Sequence, residues 1–240
     1  MMPIALLGAG EFEDWHAEVD RWLLAHADGD GRVLVAPLAA APEGEESFAS
    51  WAAKGLDHFG RLGIPAQVLP LKDRDDAERP EVIAMLEGAS MVFFSGGNPW
   101  HVARSLEGTS FLTRMCDRLL EGMAYAGCSA GVACLTTRTY DSDATDLDRV
   151  FQRGLGIVPG VLFAPHWDVV DDWVPGARAA IAAAAAPDTL VAIDEDTAMV
   201  GDGTEWDVHG RQAVHVLEDG AWADHPAGAR FALPLPLGRG

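Results

Sequence analysis

Met123-Ala124-Tyr125-Ala126-Gly127-Cys128-Ser129-Ala130-Gly131 joins a short apolar run to the small-residue start of a helix. In order, a strand ends, the chain turns sharply at Ser129, and a helix opens at Ala130. Such a turn holds its central residue in a strained backbone conformation. Glycines two positions to either side let strand and helix approach closely, so the central hydroxyl is pushed out at the carboxyl edge of a sheet. This is the pattern of a nucleophile elbow with Ser129 at its apex. The same residues also suit a plain strand–helix turn whose serine satisfies a backbone group, so the motif needs support from the rest of the chain.

The surroundings alternate between apolar runs and amphipathic segments. Strands are predicted at Ile4–Leu7, Arg32–Ala36, Ala66–Leu69, Met91–Ser95, Met123–Ala126, Val161–Ala164 and Leu190–Ile193. Helices are predicted at Trp15–His26, Glu45–Phe59, Pro80–Leu86, Trp100–Leu106, Ser110–Leu120 and Pro175–Ala185. That order implies an α/β fold, a mostly parallel sheet with helices on both faces. Thr197–Val200, Glu205–Val208 and Ala213–Leu217 are short and separated by glycine turns, which reads as a C-terminal antiparallel meander at a sheet edge. Neither an internal repeat nor a linker interrupts the pattern, so residues 1–240 are expected to form a single domain.

Composition narrows the function. A net charge of −20 excludes nucleic acid and anionic membrane surfaces as expected partners, because phosphates are repelled at long range. No run of 18 apolar residues exists. Met1-Met2-Pro3-Ile4-Ala5-Leu6-Leu7 lacks a basic flank and reads as a first strand, not a signal peptide. Cys116, Cys128 and Cys134 form no disulfide framework, which points to a reducing cytoplasm. No histidine or cysteine spacing suggests a metal site, and Gly8-Ala9-Gly10-Glu11 lacks the third glycine of a dinucleotide loop, so neither metal nor cofactor is expected.

Ligands of such sheets bind at the carboxyl ends of the strands. Three distinctive loops should emerge on that edge: Gly96-Gly97-Asn98, the elbow, and Pro165-His166-Trp167-Asp168. A serine needs a base, and His166, directly after an apolar strand, is the histidine expected beside Ser129. The base needs a carboxylate. Asp141, Asp143, Asp146 and Asp148 lie between serine and histidine, and Asp143 is favoured, then Asp141. The amides of Ala130 and Gly97 are the expected oxyanion donors. Cys128 as the nucleophile is out of register, since the residue before the apex points back along the strand.

Phe93-Phe94-Ser95-Gly96-Gly97-Asn98, the elbow, Pro165-His166 and Ile193-Asp194-Glu195-Asp196-Thr197-Ala198 resemble, in this order, the motifs of the peptidase E and cyanophycinase family of serine peptidases. The resemblance covers residues 90 to 217 well and the N-terminal third more loosely. It implies a class I glutamine amidotransferase-like, flavodoxin-like three-layer sandwich, with Ser129 as nucleophile, His166 as base, and Gly97 with Ala130 as oxyanion donors. Peptidase E reads an N-terminal aspartate with an arginine, and Arg178 occupies a comparable place. The arginines that serve cyanophycin are missing here. Glu195 is expected to support the sheet edge instead of serving as the triad acid. Asn98, Trp100, Trp167 and Arg178 are the expected pocket residues.

The expected protein is thus a serine hydrolase acting on small peptides, a dipeptidase or exopeptidase without a cofactor, for which a family-like homodimer is plausible. The alternative is a binding or regulatory module on the same fold without turnover.

Overall fold

The computed structural model of the chain describes residues 2–144 and 150–236. Strands β1 (Ile4–Leu7), β2 (Val33–Ala36), β3 (Ala66–Val68), β4 (Met91–Phe94) and β5 (Ala124–Cys128) run parallel in the spatial order β1-β5-β4-β2-β3. Every residue of β1, β2, β4 and β5 is buried, as a sheet covered on both faces requires. Alternate side chains feed two cores. Val33, Val35, Met91, Phe93, Ala124 and Ala126 pack with Val19 and Leu23 of α1 (Ala17–His26) and Phe59 of α2 (Glu45–Arg61). Leu34, Ala36, Val92, Phe94 and Tyr125 pack on the opposite face with Val82 of α3 (Pro80–Ala84), Val102 of α4 (Pro99–Leu106), and Phe111 and Met115 of α5 (Ser110–Leu120). The expected three-layer α/β sandwich is what the chain forms.

Beyond β5 a short α6 (Ala130–Ala133) leads into a small hairpin, β6 (Arg138–Tyr140) with β7 (Phe151–Arg153). Parallel strands β8 (Val161–Pro165) and β9 (Thr189–Ile193) do not extend the main sheet but start a second one. Between them lie α7 (Val170–Trp173) and α8 (Ala177–Ala185), where a single helix over Pro175–Ala185 is predicted from sequence. Pro175 and the left-handed Gly176 (φ +83°) account for the break.

The C-terminal meander divides between the two sheets. β10 (Thr197–Gly201) adds antiparallel to β1, followed by β11 (Glu205–Gly210) and finally β14 (Arg230–Ala232). β12 (Ala213–Glu218) instead joins β9, with β13 (Ala221–Pro226) outside it. Gly210 permits this switch: its φ is +104°, and a Cβ there would lie 2.1 Å from the carbonyl oxygen of Asp196. Val161, Phe163, Val191, Ile193, Val214 and Val216 turn one face of the second sheet into the core of the first.

His16, Asp20 and His58 are buried polar groups within the α1–α2 layer. His58 Nε2 lies 2.7 Å and His16 Nδ1 2.9 Å from the same Asp20 oxygen. Burial works to raise the Asp20 pKa, but the two imidazoles outweigh it and hold the carboxyl below its usual range. The three are the metal-ligand cluster among the described residues, yet the ring of His16 is committed. Its Nε2 accepts the N–H of Phe12, which leaves the proton on Nδ1 and no free lone pair for an ion.

Asp20→Ala is expected to cost about 3 kcal/mol in denaturant unfolding, because both imidazoles lose their buried acceptor. Since the Asp20 pKa is depressed on folding, its contribution is complete above the ordinary value of 3.8 and is lost only as pH falls below it. Unfolding curves of wild type and variant should therefore converge only in strong acid.

Candidate functional site

The turn after β5 has the strained geometry expected of it. Ser129 sits at φ +51°, ψ −105°. A Cβ on Gly127 would lie 2.4 Å from the Gly131 carbonyl oxygen, and one on Gly131 would lie 2.4 Å from the Phe94 carbonyl oxygen. Both glycines are therefore required by close backbone approach, and the strain is carried by the serine. Ser129 N–H donates to the Leu7 carbonyl (3.0 Å), which ties the apex to β1.

His166 follows β8 and also adopts a left-handed conformation (φ +57°). Its Nε2 lies 2.8 Å from Ser129 Oγ, and its Nδ1 lies 2.7 Å from Glu195 Oε1. A carboxylate at Nδ1 keeps the proton there, so the Nε2 lone pair faces the serine hydroxyl. The acid beside His166 is thus Glu195, not Asp143. The cause is register: β8 and β9 are parallel with Pro165 opposite Ile193, so the residues after both strands emerge together. Asp143 lies elsewhere. Asn98 Nδ2 donates to Asp141 (2.7 Å) and Asp143 (2.8 Å), fixing both beside the Gly96–Asn98 loop. Asp146 and Asp148 lie outside the described residues.

A second carboxylate holds the acid in place. Asp168 Oδ1 accepts the Glu195 N–H at 2.8 Å, and Asp168 Oδ2 accepts from Gln212 Nε2 at 2.7 Å. Sequence reasoning missed Glu195, Asp168 and Gln212 in these positions. The one local signal was that His166 and Glu195 both fall within two residues of a strand end.

The Gly96–Gly97 loop approaches from β4. Gly97 has φ +136°, and a Cβ there would lie 2.4 Å from Ala39 backbone atoms, so the loop lies flat on the segment after β2. Among the described residues no acceptor is bonded to the Gly97 N–H. The Ala130 N–H is the first amide of α6 and lacks an intrahelical acceptor. Asn98 caps α4, its side-chain oxygen accepting from His101 N–H (3.1 Å). Burial lowers the His101 pKa, and its neutral ring bonds Lys72 O through Nε2 (2.7 Å) and Arg104 through Nδ1 (3.0 Å).

Two expected pocket residues are engaged elsewhere. Trp167 is buried, packing with Leu162, Ala164, Leu190 and Ala192 and against Trp222. The Arg178 guanidinium donates to the Asp168 carbonyl and lies 3.8 Å from Asp171, so its charge serves the β8–α8 segment. Trp100 lies under the Arg104 guanidinium, 5.0 Å from the ring centroid. The aromatic ring at the site is instead the exposed Trp173, its centroid 5.0 Å from that of His166. A cleft of about 460 Å³ adjoins His166, walled by Ala9–Glu13 and by Trp51, Lys54, Asp57 and Arg61 of α2. Burial pushes both nearby thiols away from the thiolate form, Cys134 up to about 12 and, with the Glu11 carboxylate, Cys128 well above its usual value.

Residues 4–209 match the model of peptidase family S51. The chain belongs to that family. A cyanophycinase from Synechococcus elongatus is 33% identical over 172 residues, which cover 68% of this chain and 52% of that protein. The chain thus spans about half the length of the curated relatives it matches. Among solved structures, a peptidase from an acI-B1 Actinobacterium superposes with a TM-score of 0.87 at 29% identity, covering 96% of each chain. A candidate peptidase E from Listeria monocytogenes EGD-e shares the fold, with a TM-score of 0.61 at 16% identity over 88% of this chain and 98% of its own.

In this S51 chain the segment bearing Glu195 is also anchored by Asp194. His215 bridges Asp194 (3.1 Å) and Asp224 (2.7 Å), and these carboxylates raise its pKa, Asp194 most, against the effect of burial. A raised histidine stabilises the fold fully below its unfolded value near 6.5 and loses that contribution as pH rises through its folded value. Wild type should therefore show a fall in thermal midpoint as pH climbs past neutrality, and His215→Gln should lack that component.

Proposed function

We propose that this S51 chain is a serine peptidase of small peptides, a dipeptidase or exopeptidase. The observation that carries the reading is the continuous line from Ser129 Oγ through His166 to Glu195, at 2.8 and 2.7 Å. Ser129 attacks the scissile carbonyl while His166 Nε2 takes its proton. Glu195 stabilises the resulting imidazolium and fixes the ring. The amides of Gly97 and Ala130 receive the developing oxyanion, and His166 returns the proton to the leaving amine. A deacylating water then repeats the sequence. This scheme uses no cofactor.

Support for a peptide substrate comes from the S51 family and from the similarity to a cyanophycinase and to a solved peptidase. The cleft beside His166 is of a size for a few residues, and the exposed Trp173 offers an aromatic surface against the His166 ring. Asn98, next to Gly97, supports this loop by capping α4 and by donating to Asp141 and Asp143. All three cysteines are buried and none forms a disulfide, which fits a reducing compartment. No helix among the described residues is long and apolar enough to cross a membrane.

The test is turnover of a dipeptide library, including aspartyl and β-aspartyl members, read by mass spectrometry. Ser129→Ala is expected to lose at least about 10⁴-fold in kcat/KM, and Glu195→Gln roughly 10³- to 10⁴-fold. Asp143→Asn should change it by less than about tenfold, because its partner is Asn98. Equal losses in Glu195→Gln and Asp143→Asn would overturn the assignment of the acid.

A further inference from the structure

Glu11 is a buried carboxylate that the scheme above does not use. It belongs to the loop after β1, yet each of its oxygens reaches a different strand end. Oε1 accepts the Gly96 N–H at 2.7 Å, and Oε2 accepts the Cys128 thiol at 2.9 Å. Gly96 opens the loop that presents the Gly97 amide, and Cys128 is the residue before the nucleophile. One side chain therefore spans the two halves of the site. Space confirms the contact: a Cβ on Gly96 would stand 3.2 Å from Glu11 Oε1 and 3.5 Å from Ser129 Cβ, so Gly96 is held between them.

The loop bearing Glu11 is itself braced. Phe12 has φ +65°, and its N–H donates to His16 Nε2. Its ring lies 4.7 Å from that of Phe93 on β4. Glu11 is thus a fixed post and not a loose surface acid.

We infer that Glu11 is a positioning residue that sets the oxyanion loop against the nucleophile by holding the Gly96 N–H. Engaging that amide fixes the orientation of the next peptide, so the Gly97 N–H is left to face the reacting carbonyl. This inference rests on the serine reading given above. It makes a distinction between reach and charge. Glutamine keeps an oxygen at the same reach without the charge; aspartate keeps the charge but is one methylene too short.

The experiment measures kcat and KM for Glu11→Ala, Glu11→Asp and Glu11→Gln on a peptide cleaved by wild type, with Ser129→Ala alongside. It also follows covalent capture of Ser129 by an aryl phosphonate, whose attack passes through an oxyanion. Glu11→Asp and Glu11→Ala are expected to lose about 10²- to 10³-fold in kcat and in capture rate, with KM changed by a few-fold at most. Glu11→Gln should remain within about tenfold of wild type in both. If Glu11→Ala does not fold, the Asp and Gln pair carries the test alone. An active Glu11→Asp beside an inactive Glu11→Gln would overturn positioning in favour of charge, and three variants at the wild-type rate would overturn any role. Ser129→Ala separates the two readings: if it keeps turnover, the serine scheme fails; if it is dead while Glu11→Asp is unimpaired, only the Glu11 assignment fails.

Discussion

The structure turns on the left-handed serine between β5 and α6. A chain that passes from strand to helix within one residue must place Ser129 at φ +51°, and it can do so only because the positions two residues away carry no side chain. The backbone strain, of order 1–3 kcal/mol, is held by what surrounds the turn: the Leu7 carbonyl that receives the Ser129 N–H, and the Phe94 backbone pressed against Gly131. The neighbouring strands are therefore part of the turn, and their loops must converge on it. Gly96–Gly97 comes from β4 and Glu11 from β1, and both touch the same few ångströms of space.

The other half of the site belongs to the second sheet. His166 and Glu195 leave β8 and β9 side by side, and Ser129, Gly97 and Glu11 leave the first sheet. The hydroxyl–imidazole contact thus crosses a seam between two sheets. Packing must hold that seam, since a shift of 1 Å would break the contact. Valines and isoleucines of β8, β9 and β12 share one core with β1, β2 and β4, and within the first sheet the Gly8 N–H bonds Thr197 O of β10 at 3.0 Å, carrying the β1–β10 pairing up to the seam. Gly8 has no room for a Cβ, which would lie 2.1 Å from Asp194 O. The two sheets touch backbone to backbone beside the residue that carries the acid.

This division explains what could be read from the sequence. Apolar runs separated by amphipathic segments announce the parallel sheet because each interior strand is buried on both faces. The elbow and His166 were legible because local chemistry marks them: glycines at fixed offsets, and a histidine straight after a strand. Glu195 was not legible as the acid, since chain order placed four aspartates nearer to the histidine. What decides the matter is the register of β8 against β9, a long-range pairing that no local pattern encodes. Trp167 failed for a related reason. Position after a strand predicts exposure at the sheet edge, but the left-handed His166 reverses the alternation and turns the next side chain inward. The split of the meander was equally hidden, because short strands with glycine turns look alike whichever sheet they join.

On the proposed reading, an acidic chain has to run an oxyanion reaction, which poses an electrostatic problem. With a net charge of −20, negative potential surrounds a site where negative charge must develop. Carboxylates close to Ser129 and His166 are nevertheless kept, and each is occupied. Glu195 accepts from the imidazole, Asp168 from a backbone amide and Gln212, and Glu11 from a backbone amide and a thiol. A carboxylate whose oxygens already accept donors projects less field toward the carbonyl than a bare one, and its donors are oriented by the bond. The same hydrogen bonds that screen these charges also fix the loops that carry the Gly97 amide and the His166 ring. Screening and positioning are therefore one set of interactions, and this lets a strongly acidic surface coexist with the anion-stabilising role proposed for the site.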